Sequence, residues 1–217
     1  MRFVALYSTG KDSILALQRM VSAGHEPVAL LNMFNKEAQR SWFHGVNADL
    51  LEELSTSLGI PIMRCVCTGE DYEKEQESCL LEARALGAEA AIFGDIDIEE
   101  HAKWNQARSE NAGLECIMPL WQQDRAALVS EFIELGYRAY IKSVDLSYLD
   151  ESFLGKELDT KTVEEMVSRG SDACGENGEY HTMAFAGPLF SYPVPLSLGE
   201  IVNFGTHAAI DIRLSDL

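Results

Sequence analysis

The stretch FVALYSTGKDS, residues Phe3–Ser13, decides the fold because it joins an apolar block to a polar turn that leads into a helical pattern. A short apolar block of this kind is typical of a buried strand in a parallel sheet. After the turn, apolar residues recur at helical spacing, and Gly24 stands where a helix is expected to end. A turn from strand to helix presents free backbone N–H groups and the positive end of the helix dipole. The sequence therefore predicts an anion-binding turn.

The polar residues of this turn suit a phosphate group. Ser8 and Ser13 carry hydroxyl donors, and Gly10 lets the backbone approach an anion closely. Lys11 adds a positive charge. Asp12 is compatible with a nearby phosphate mainly when a Mg²⁺ ion lies between them. We therefore expect an enzyme that handles the phosphates of a nucleotide.

The same turn also has an ordinary structural interpretation. It is not a Walker A loop, since Asp12 separates Lys11 from Ser13. A turn in which Asp12 or Ser8 simply caps the following helix would have a similar composition. On spacing alone, both interpretations stay open.

Composition and charge limit the class of protein. The chain has 217 residues, 47% of them hydrophobic, which allows one large or two small domains with a sizeable core. No apolar run reaches the roughly 20 residues that span a bilayer, and the N-terminus is interpreted as a first strand, not as a signal peptide. The net charge of −18, from 35 acidic and 17 basic residues, argues against an extended nucleic-acid surface. We expect a cytoplasmic protein with no membrane partner.

The five cysteines indicate reduced thiols, because they are odd in number and scattered. Cys65 and Cys67 are two residues apart, so on a strand they point to one face. No zinc site of the usual spacing is completed near them in the sequence. Cys174 is interpreted as a small residue in a tight turn.

Strands and helices alternate through the first half, which predicts a parallel sheet with helices on both faces. The carboxyl ends of its strands, including Ser8–Ser13 and Gly94-Asp95, are expected along one edge, where ligands bind. We assign residues 1–123 to a nucleotide-binding domain and 124–217 to a smaller α+β substrate-binding domain. The predicted strands are Arg2–Tyr7, Pro27–Phe34, Ile60–Val66, Ala88–Phe93, Glu115–Met118, Tyr137–Val144, Tyr180–Phe185, Glu200–Phe204 and Ala208–Leu214, and the later helices are Gly45–Leu58, Tyr72–Leu86, Asp97–Ala112, Ala126–Leu135 and Thr160–Ser168.

Several sequence blocks resemble one enzyme family. STGKDS resembles the Ser-Gly-Gly-x-Asp-Ser signature of the PP-loop ATP pyrophosphatases, with Thr9 replacing the first glycine. The later blocks resemble the middle and C-terminal signatures of the diphthine–ammonia ligase family within that superfamily. Their order and intervals agree with the family, so the resemblance covers nearly the whole chain. These later blocks are GDI at residues 94–96, with His101 and Trp104 after it, MPLW at 118–121, GENGEYHT at 175–182 and GPLF at 187–190.

The resemblance implies a HUP-like fold, that is, an adenine-nucleotide-α-hydrolase-like parallel sheet, and an ATP-dependent amide ligase. Such an enzyme adenylates a carboxylate with ATP, releases pyrophosphate and lets ammonia displace AMP. The family's carboxylate belongs to diphthine on elongation factor 2. Asp12 and Asp95 are expected to hold Mg²⁺, and Lys11 to stabilise the departing pyrophosphate. The residues expected to bind ATP are Ser8, Thr9, Gly10, Lys11, Asp12, Ser13, Asn32, Gly94 and Asp95.

The ammonium reactant implies an acidic pocket, for which Glu176 and Glu179 are the candidates. They lie three residues apart in a glycine-flanked loop and are expected to hold ammonium and take its proton. A solvent-exposed turn without chemistry would have the same composition. The predicted catalytic residues are Lys11, Asp12, Glu176 and Glu179, and the predicted substrate-binding residues are His44, His101, Trp104, Gly175, Gly178 and Tyr180.

Two other functions are kept open. One is a paralogous amide ligase that acts on a small carboxylic acid, such as a corrinoid-related molecule. The other is a non-catalytic ATP-binding sensor, which has little need for a metal-holding carboxylate such as Asp12. Thr9 is the main departure from the family pattern, and its β-carbon is tolerable if the position does not need a positive φ. Homo-oligomerisation is also left open.

Overall fold

The computed structural model describes residues 1–215, which form two compact units. The first unit contains Met1–Ser8 and Asp12–Gln122. The second contains Thr9–Lys11 and the described residues from Gln123 onward. Residues 216–217, the last two of the predicted second domain, lie outside the described residues.

The first unit is built from alternating strands and helices. Its elements fit the local sequence: Asn47 caps helix α2 by accepting a hydrogen bond from the Leu50 N–H, and Gly59 ends that helix in the left-handed conformation. The elements are β1 (Arg2–Leu6), α1 (Lys11–Ser22), β2 (Glu26–Asn35), β3 (Arg40–Ser41), α2 (Ala48–Leu58), β4 (Ile62–Cys67), α3 (Tyr72–Ala85), β5 (Ala90–Ile92), α4 (Glu99–Ala112) and β6 (Glu115–Ile117).

The sheet of the first unit is parallel except for the short strand β3. Its parallel strands follow the order β4-β2-β1-β5-β6, and β3 pairs antiparallel with the end of β2. The chain therefore fills one side of β1 first and then crosses to the other side. This reversal puts a topological switch point at the carboxyl ends of β1 and β5, where open α/β sheets bind their ligands.

Helices cover both faces of this sheet, as the alternating pattern predicts. On one face, Val4 and Leu31 belong to a buried cluster with Leu80 from α3 and Ala112 from α4. Phe3 is also fully buried although it points to the opposite face of β1. Because both sets of alternate side chains are removed from water, the sheet is a middle layer between two layers of helix.

The second unit is the smaller α+β domain that the sequence predicts. Its four strands form an antiparallel sheet in the order β8-β7-β10-β9. Across the described residues of both units, no helix is long and apolar enough to cross a membrane. The elements of the second unit are α5 (Arg125–Glu134), β7 (Arg138–Asp145), a 3₁₀ turn (Glu151–Phe153), α6 (Thr160–Ser168), β8 (Tyr180–Ala186), β9 (Leu196–Asn203) and β10 (His207–Leu214).

The predicted element bounds are wrong mainly at strand β9. It begins at Leu196, whereas the sequence places its start at Glu200. A bulge opposite Asp211 interrupts its pairing with β10, and most of its residues are exposed, so the strand lacks the alternation of a half-buried strand. Neither the two-residue strand β3 nor the 3₁₀ turn after β7 is predicted.

Candidate functional site

The polar turn after β1 lies at the switch point of the first unit's sheet. The Ser8 and Ser13 hydroxyls are 3.3 Å apart, and Ser13 is buried in the first turn of α1. Gly94, which follows β5, packs directly against the backbone of this turn. A β-carbon at Gly94 would lie 2.8 Å from the carbonyl carbon of Asp12 and 2.9 Å from the Ser13 nitrogen. Only glycine fits there, so β5 and the turn are in direct contact.

Asp95 follows Gly94 and is held by helix α4. Its Oδ2 accepts a hydrogen bond of 2.7 Å from the Asn105 side-chain amide, and its Oδ1 lies 3.2 Å from Nδ1 of His101. His101 is exposed, whereas Asn105 is buried. The structure therefore brings the predicted residues Asp95 and His101 together and adds Asn105, which the sequence analysis did not select. The i, i+4 spacing of His101 and Asn105 is the signal that points to it.

Asn32 is buried in the middle of β2, next to the end of β1. Its side-chain amide donates a hydrogen bond of 2.7 Å to the carbonyl oxygen of Tyr7. Its Oδ1 is buried and has no hydrogen-bond partner among the described residues. A buried acceptor left in this state is costly unless a ligand satisfies it.

Thr9 has the backbone conformation that the sequence analysis considered unfavourable for it. Its φ is +79°, although it is β-branched and fully buried. The carbonyl oxygen of Thr9 accepts a hydrogen bond of 2.9 Å from the Ala184 N–H on β8, in the same unit. Its hydroxyl is buried without a hydrogen-bond partner among the described residues. Such strain persists only where the surrounding structure holds it in place.

Lys11 is a buried residue of the second unit, as are its neighbours Thr9 and Gly10. Its backbone N–H donates a 3.0 Å hydrogen bond to the Thr182 hydroxyl. Its ammonium donates to the carbonyl oxygen of Cys174 and lies 5.3 Å from the centre of the Tyr180 ring. From the sequence, this ammonium is expected to stabilise the departing pyrophosphate. The structure adds these protein contacts to its surroundings.

Glu179 is buried and organises its own loop. Its two carboxylate oxygens accept hydrogen bonds from the backbone N–H groups of Asp172 and Asn177 and from the Asn177 side chain, at 3.1 to 3.3 Å. Asp172 supports the same loop by accepting from the N–H groups of Cys174 and Glu176. Glu179 is a residue predicted to hold ammonium and take its proton, and the structure adds these hydrogen bonds within its own loop.

Glu176 is partly buried in the same loop, and the remaining residues of the motif shape the chain around it. Gly175 and Gly178 have φ values of +67° and +92°, in agreement with the turn expected of them. A β-carbon at Gly175 would lie 2.7 Å from the ring of Tyr180. The Tyr180 hydroxyl donates a 2.6 Å hydrogen bond to the carbonyl oxygen of Ala173. Tyr180 thus fixes the loop that carries Glu176.

His181 lies next to this loop and was not selected from the sequence. The pKa of its imidazole is lowered to about 4, mainly by burial and to a lesser extent by the nearby charges of Lys11 and His207, against an opposing effect of Glu179. The ring is therefore neutral at physiological pH. The sequence signal was present, because His181 belongs to the same GENGEYHT block, but sequence alone does not show burial.

The cysteines of this chain form no disulfide bond. All five are free thiols, and Cys65 and Cys67 share one buried face, as predicted. Cys174 is buried, and its thiol donates a 2.8 Å hydrogen bond to the carbonyl oxygen of Arg125. Within residues 1–215, no group of three or more His, Cys, Asp or Glu side chains is arranged to hold a metal ion by itself.

Two further predicted substrate residues lie in the first unit. His44 is partly buried in the segment between β3 and α2, where its N–H donates to the carbonyl oxygen of Trp42. Trp104 is 38% exposed on α4, and its indole N–H donates a 2.8 Å hydrogen bond to the Gln76 side chain.

The strand order and the turn at its switch point define the class: a HUP-like α/β fold of the PP-loop type, followed by an antiparallel α+β domain. The chain belongs to the diphthamide synthase family. The family model described as the diphthamide synthase N-terminal domain matches residues 1–116, and the one for the C-terminal domain matches residues 124–216.

Relatives of known name agree with this membership. The chain is 30% identical to the diphthine–ammonia ligase of Bos taurus, over 96% of this chain and 86% of that protein. It is 27% identical to the enzymes of the same name from Danio rerio and Homo sapiens, over 93% of this chain and 89% and 85% of theirs. A solved structure, described as a predicted subunit of tRNA methyltransferase from Methanocaldococcus jannaschii, is similar with a TM-score of 0.45 and 16% identity, over 85% of this chain and 95% of its own. Proteins named diphthine–ammonia ligase are carbon–nitrogen ligases.

Proposed function

We propose that this protein is an ATP-dependent amide ligase that converts diphthine on elongation factor 2 to its amide, diphthamide. The observation that carries the proposal is the turn Ser8–Ser13, whose residues Asp12 and Ser13 pack against Gly94, in a chain whose residues 1–116 and 124–216 match the diphthamide synthase family. The carboxylate attacks the α-phosphorus of ATP, forming an acyl-adenylate and releasing pyrophosphate. Ammonia then attacks the acyl carbon, and AMP leaves as the amide forms.

Residues of strand β2 and of the turn after β1 fit ATP in their hydrogen-bonding chemistry. The buried Oδ1 of Asn32 is an acceptor in need of a donor, and the exocyclic amino group of adenine is such a donor. The buried hydroxyl of Thr9 is a donor in need of an acceptor. Backbone N–H groups at the start of α1, with Ser8, Gly10 and Ser13, supply the phosphate contacts. We assign ATP binding to residues 1–123 on these grounds.

Asp12 and Asp95 are suitable Mg²⁺ ligands, because both are carboxylates and because Mg²⁺ needs only one or two ligands from the protein. Mg²⁺ is usually held by one or two carboxylates together with phosphates and waters, so a protein cage of three ligands is not required. Bound there, the ion neutralises phosphate charge during the displacement. Asn105 and His101 orient the Asp95 carboxylate, and this role follows from their contacts with it.

We assign the amine-handling role to Glu176 and a loop-supporting role to Glu179. Ammonium must lose a proton before it attacks, and the amide nitrogen must lose another afterwards, so a carboxylate base is needed. Both oxygens of Glu179 already accept hydrogen bonds from its own loop. Lys11 lies in the same unit as this loop and supplies positive charge toward the phosphates. The substrate contacts are assigned to His44, His101, Trp104, Gly175, Gly178 and Tyr180.

The test is to incubate the protein with ATP, Mg²⁺, ammonium and diphthine-bearing elongation factor 2, and to measure AMP and pyrophosphate. AMP release that requires both ammonium and the modified factor supports the proposal. ATP turnover with small carboxylic acids, but not with the factor, would instead indicate the paralogous ligase. ATP binding without turnover on any acceptor would indicate a sensor.

Asp12→Asn separates the enzyme from the sensor. In the ligase it is expected to remove more than 99% of turnover while the unfolding temperature changes little, since Asp12 is only partly buried. We also propose that the protein acts in the cytoplasm, where its five free thiols stay reduced.

A further inference from the structure

Three aromatic side chains from separate elements meet in the first unit. Trp42 follows β3, Tyr72 begins α3, and Trp104 lies on α4. The ring centroids of Trp42 and Tyr72 are 5.7 Å apart, with the planes at 82° to each other. The Tyr72 and Trp104 centroids are 6.5 Å apart, with a plane angle of 52°. We call these three residues the aromatic array.

The array offers ring faces to a ligand, because both of its indole N–H groups already donate hydrogen bonds within the protein. The Trp42 N–H donates a 3.2 Å hydrogen bond to the sulfur of Cys67, and the Trp104 N–H donates to Gln76. These hydrogen bonds also fix the orientation of both rings. A ligand that needs hydrogen bonds finds few here, whereas a cation without N–H donors needs only π-faces.

The electrostatic surroundings of the array favour a cation. The Asp95 carboxylate accepts a hydrogen bond from Asn105, the neighbour of Trp104 on α4, so it brings a negative charge to the helix that carries Trp104. The guanidinium of Arg108 already lies 4.9 Å from the Trp104 ring, and Glu73 and Glu77 form ion pairs with that arginine. The Trp104 ring thus already makes a cation–π contact with a cation of the protein. The carboxylates of Glu73 and Glu77 balance the positive charge of that arginine.

We propose that the aromatic array of Trp42, Tyr72 and Trp104 binds a quaternary ammonium group of the substrate. Rings at nearly a right angle form a corner in which separate methyl groups of a tetrahedral cation can each contact a face. The inference rests on the proposed function, because diphthine carries a trimethylammonium group and its reacting carboxylate on the same carbon atom. Trp104 lies on α4 next to Asn105, which donates a hydrogen bond to Asp95, and Asp95 follows Gly94, which packs against Asp12 and Ser13. The array is therefore carried by the helix that also holds Asp95 on the side where that carboxylate must react.

Glycine betaine is the direct probe, because it also carries a trimethylammonium and a carboxylate on one carbon. The protein has three tryptophans, so its indole N–H resonances report three separate places. Betaine is expected to shift the Trp42 and Trp104 signals and to leave Trp121, which lines a different face of α4 with Met118, unchanged. The isostere 3,3-dimethylbutanoate keeps the carboxylate and replaces the trimethylammonium with an uncharged tert-butyl group, and it is expected to shift them much less. Equal shifts with the isostere, shifts at all three indoles, or no shift would overturn the inference.

Kinetics test the array in the working enzyme. Trp104→Ala is expected to raise the KM for the diphthine-bearing factor about tenfold without changing the KM for ATP, since the proposed role of the ring is to contact the trimethylammonium group and not the nucleotide. Trp104→Phe keeps a π-face and should recover most of this loss, and Trp121→Phe is the matched control. An unchanged KM in Trp104→Ala, with normal turnover, would overturn the array and leave the ligase intact. Betaine shifts in a protein that never forms AMP would leave the array intact and overturn the ligase.

Discussion

At the scale of single residues, Thr9 is the position where local preference and native structure conflict. Its positive φ raises the free energy of the folded state, and so does its buried hydroxyl, which has no hydrogen-bond partner within residues 1–215. Relief of about 1–3 kcal/mol of strain exceeds the entropic cost of about 1 kcal/mol that glycine brings. Thr9→Gly is therefore expected to stabilise the protein by about 1 kcal/mol, which raises the unfolding temperature by about 2–4 °C.

The control for this prediction is Thr9→Val. It removes the hydroxyl but keeps the branched β-carbon at positive φ, so it should recover only part of the gain. Thermal unfolding followed by circular dichroism gives both midpoints. A Thr9→Gly protein less stable than wild type would show that the backbone at this position is not strained.

Titration of His181 makes the free energy of unfolding decrease as the pH falls. Its pKa is lowered from the ordinary value of 6.5 to about 4 in the folded state. Between these values the unfolded chain binds the extra proton and the folded chain does not, so folding becomes less favourable as the pH falls. The stability that wild type loses at this residue between pH 7 and pH 4 is at most about 3 kcal/mol.

His181→Asn removes this titration while keeping a polar side chain. The difference in unfolding temperature between wild type and variant should therefore shift in favour of the variant as the pH falls from 7 to 4.5. Other titrating groups affect both proteins alike and cancel in the difference. A difference that stays constant with pH would contradict the neutral, desolvated imidazole.

At the scale of elements, the Gly175–Tyr180 loop separates two glutamates that look equivalent in sequence. Glu179→Gln replaces an acceptor-only group with an amide that must turn an N–H₂ toward backbone donors, so it should destabilise the protein by about 1–3 kcal/mol. Glu176→Gln is expected to change stability by less than about 0.5 kcal/mol and to lower kcat. Urea unfolding and steady-state kinetics on both variants test this division. A Glu179→Gln protein as stable as wild type would contradict the loop-supporting role of Glu179.

The helices and strands also show which features of the structure can be predicted from the sequence and which cannot. The helix Thr160–Ser168 and the parallel sheet with helices on both faces were predicted, because caps, glycines and periodicity are local signals. The two-residue strand Arg40–Ser41 exists only because β2 pairs with it, and the Lys11 contact with Cys174 joins residues far apart in the chain. Contacts of this kind depend on tertiary packing, which a local pattern does not encode.

At the scale of the whole molecule, the net charge of −18 opposes compactness through self-repulsion. Salt screens this repulsion, with a Debye length that shrinks from about 30 Å at 0.01 M to about 8 Å at 0.15 M. The unfolding temperature is therefore expected to rise by several degrees between about 0.01 and 0.15 M NaCl. A variant with the exposed residues Glu37, Glu70, Glu164 and Glu200 changed to Gln removes four negative charges and should gain less from salt. An equal gain in both proteins would attribute the effect to stronger apolar burial in salt, and a falling midpoint would show that attractive ion pairs outweigh the repulsion.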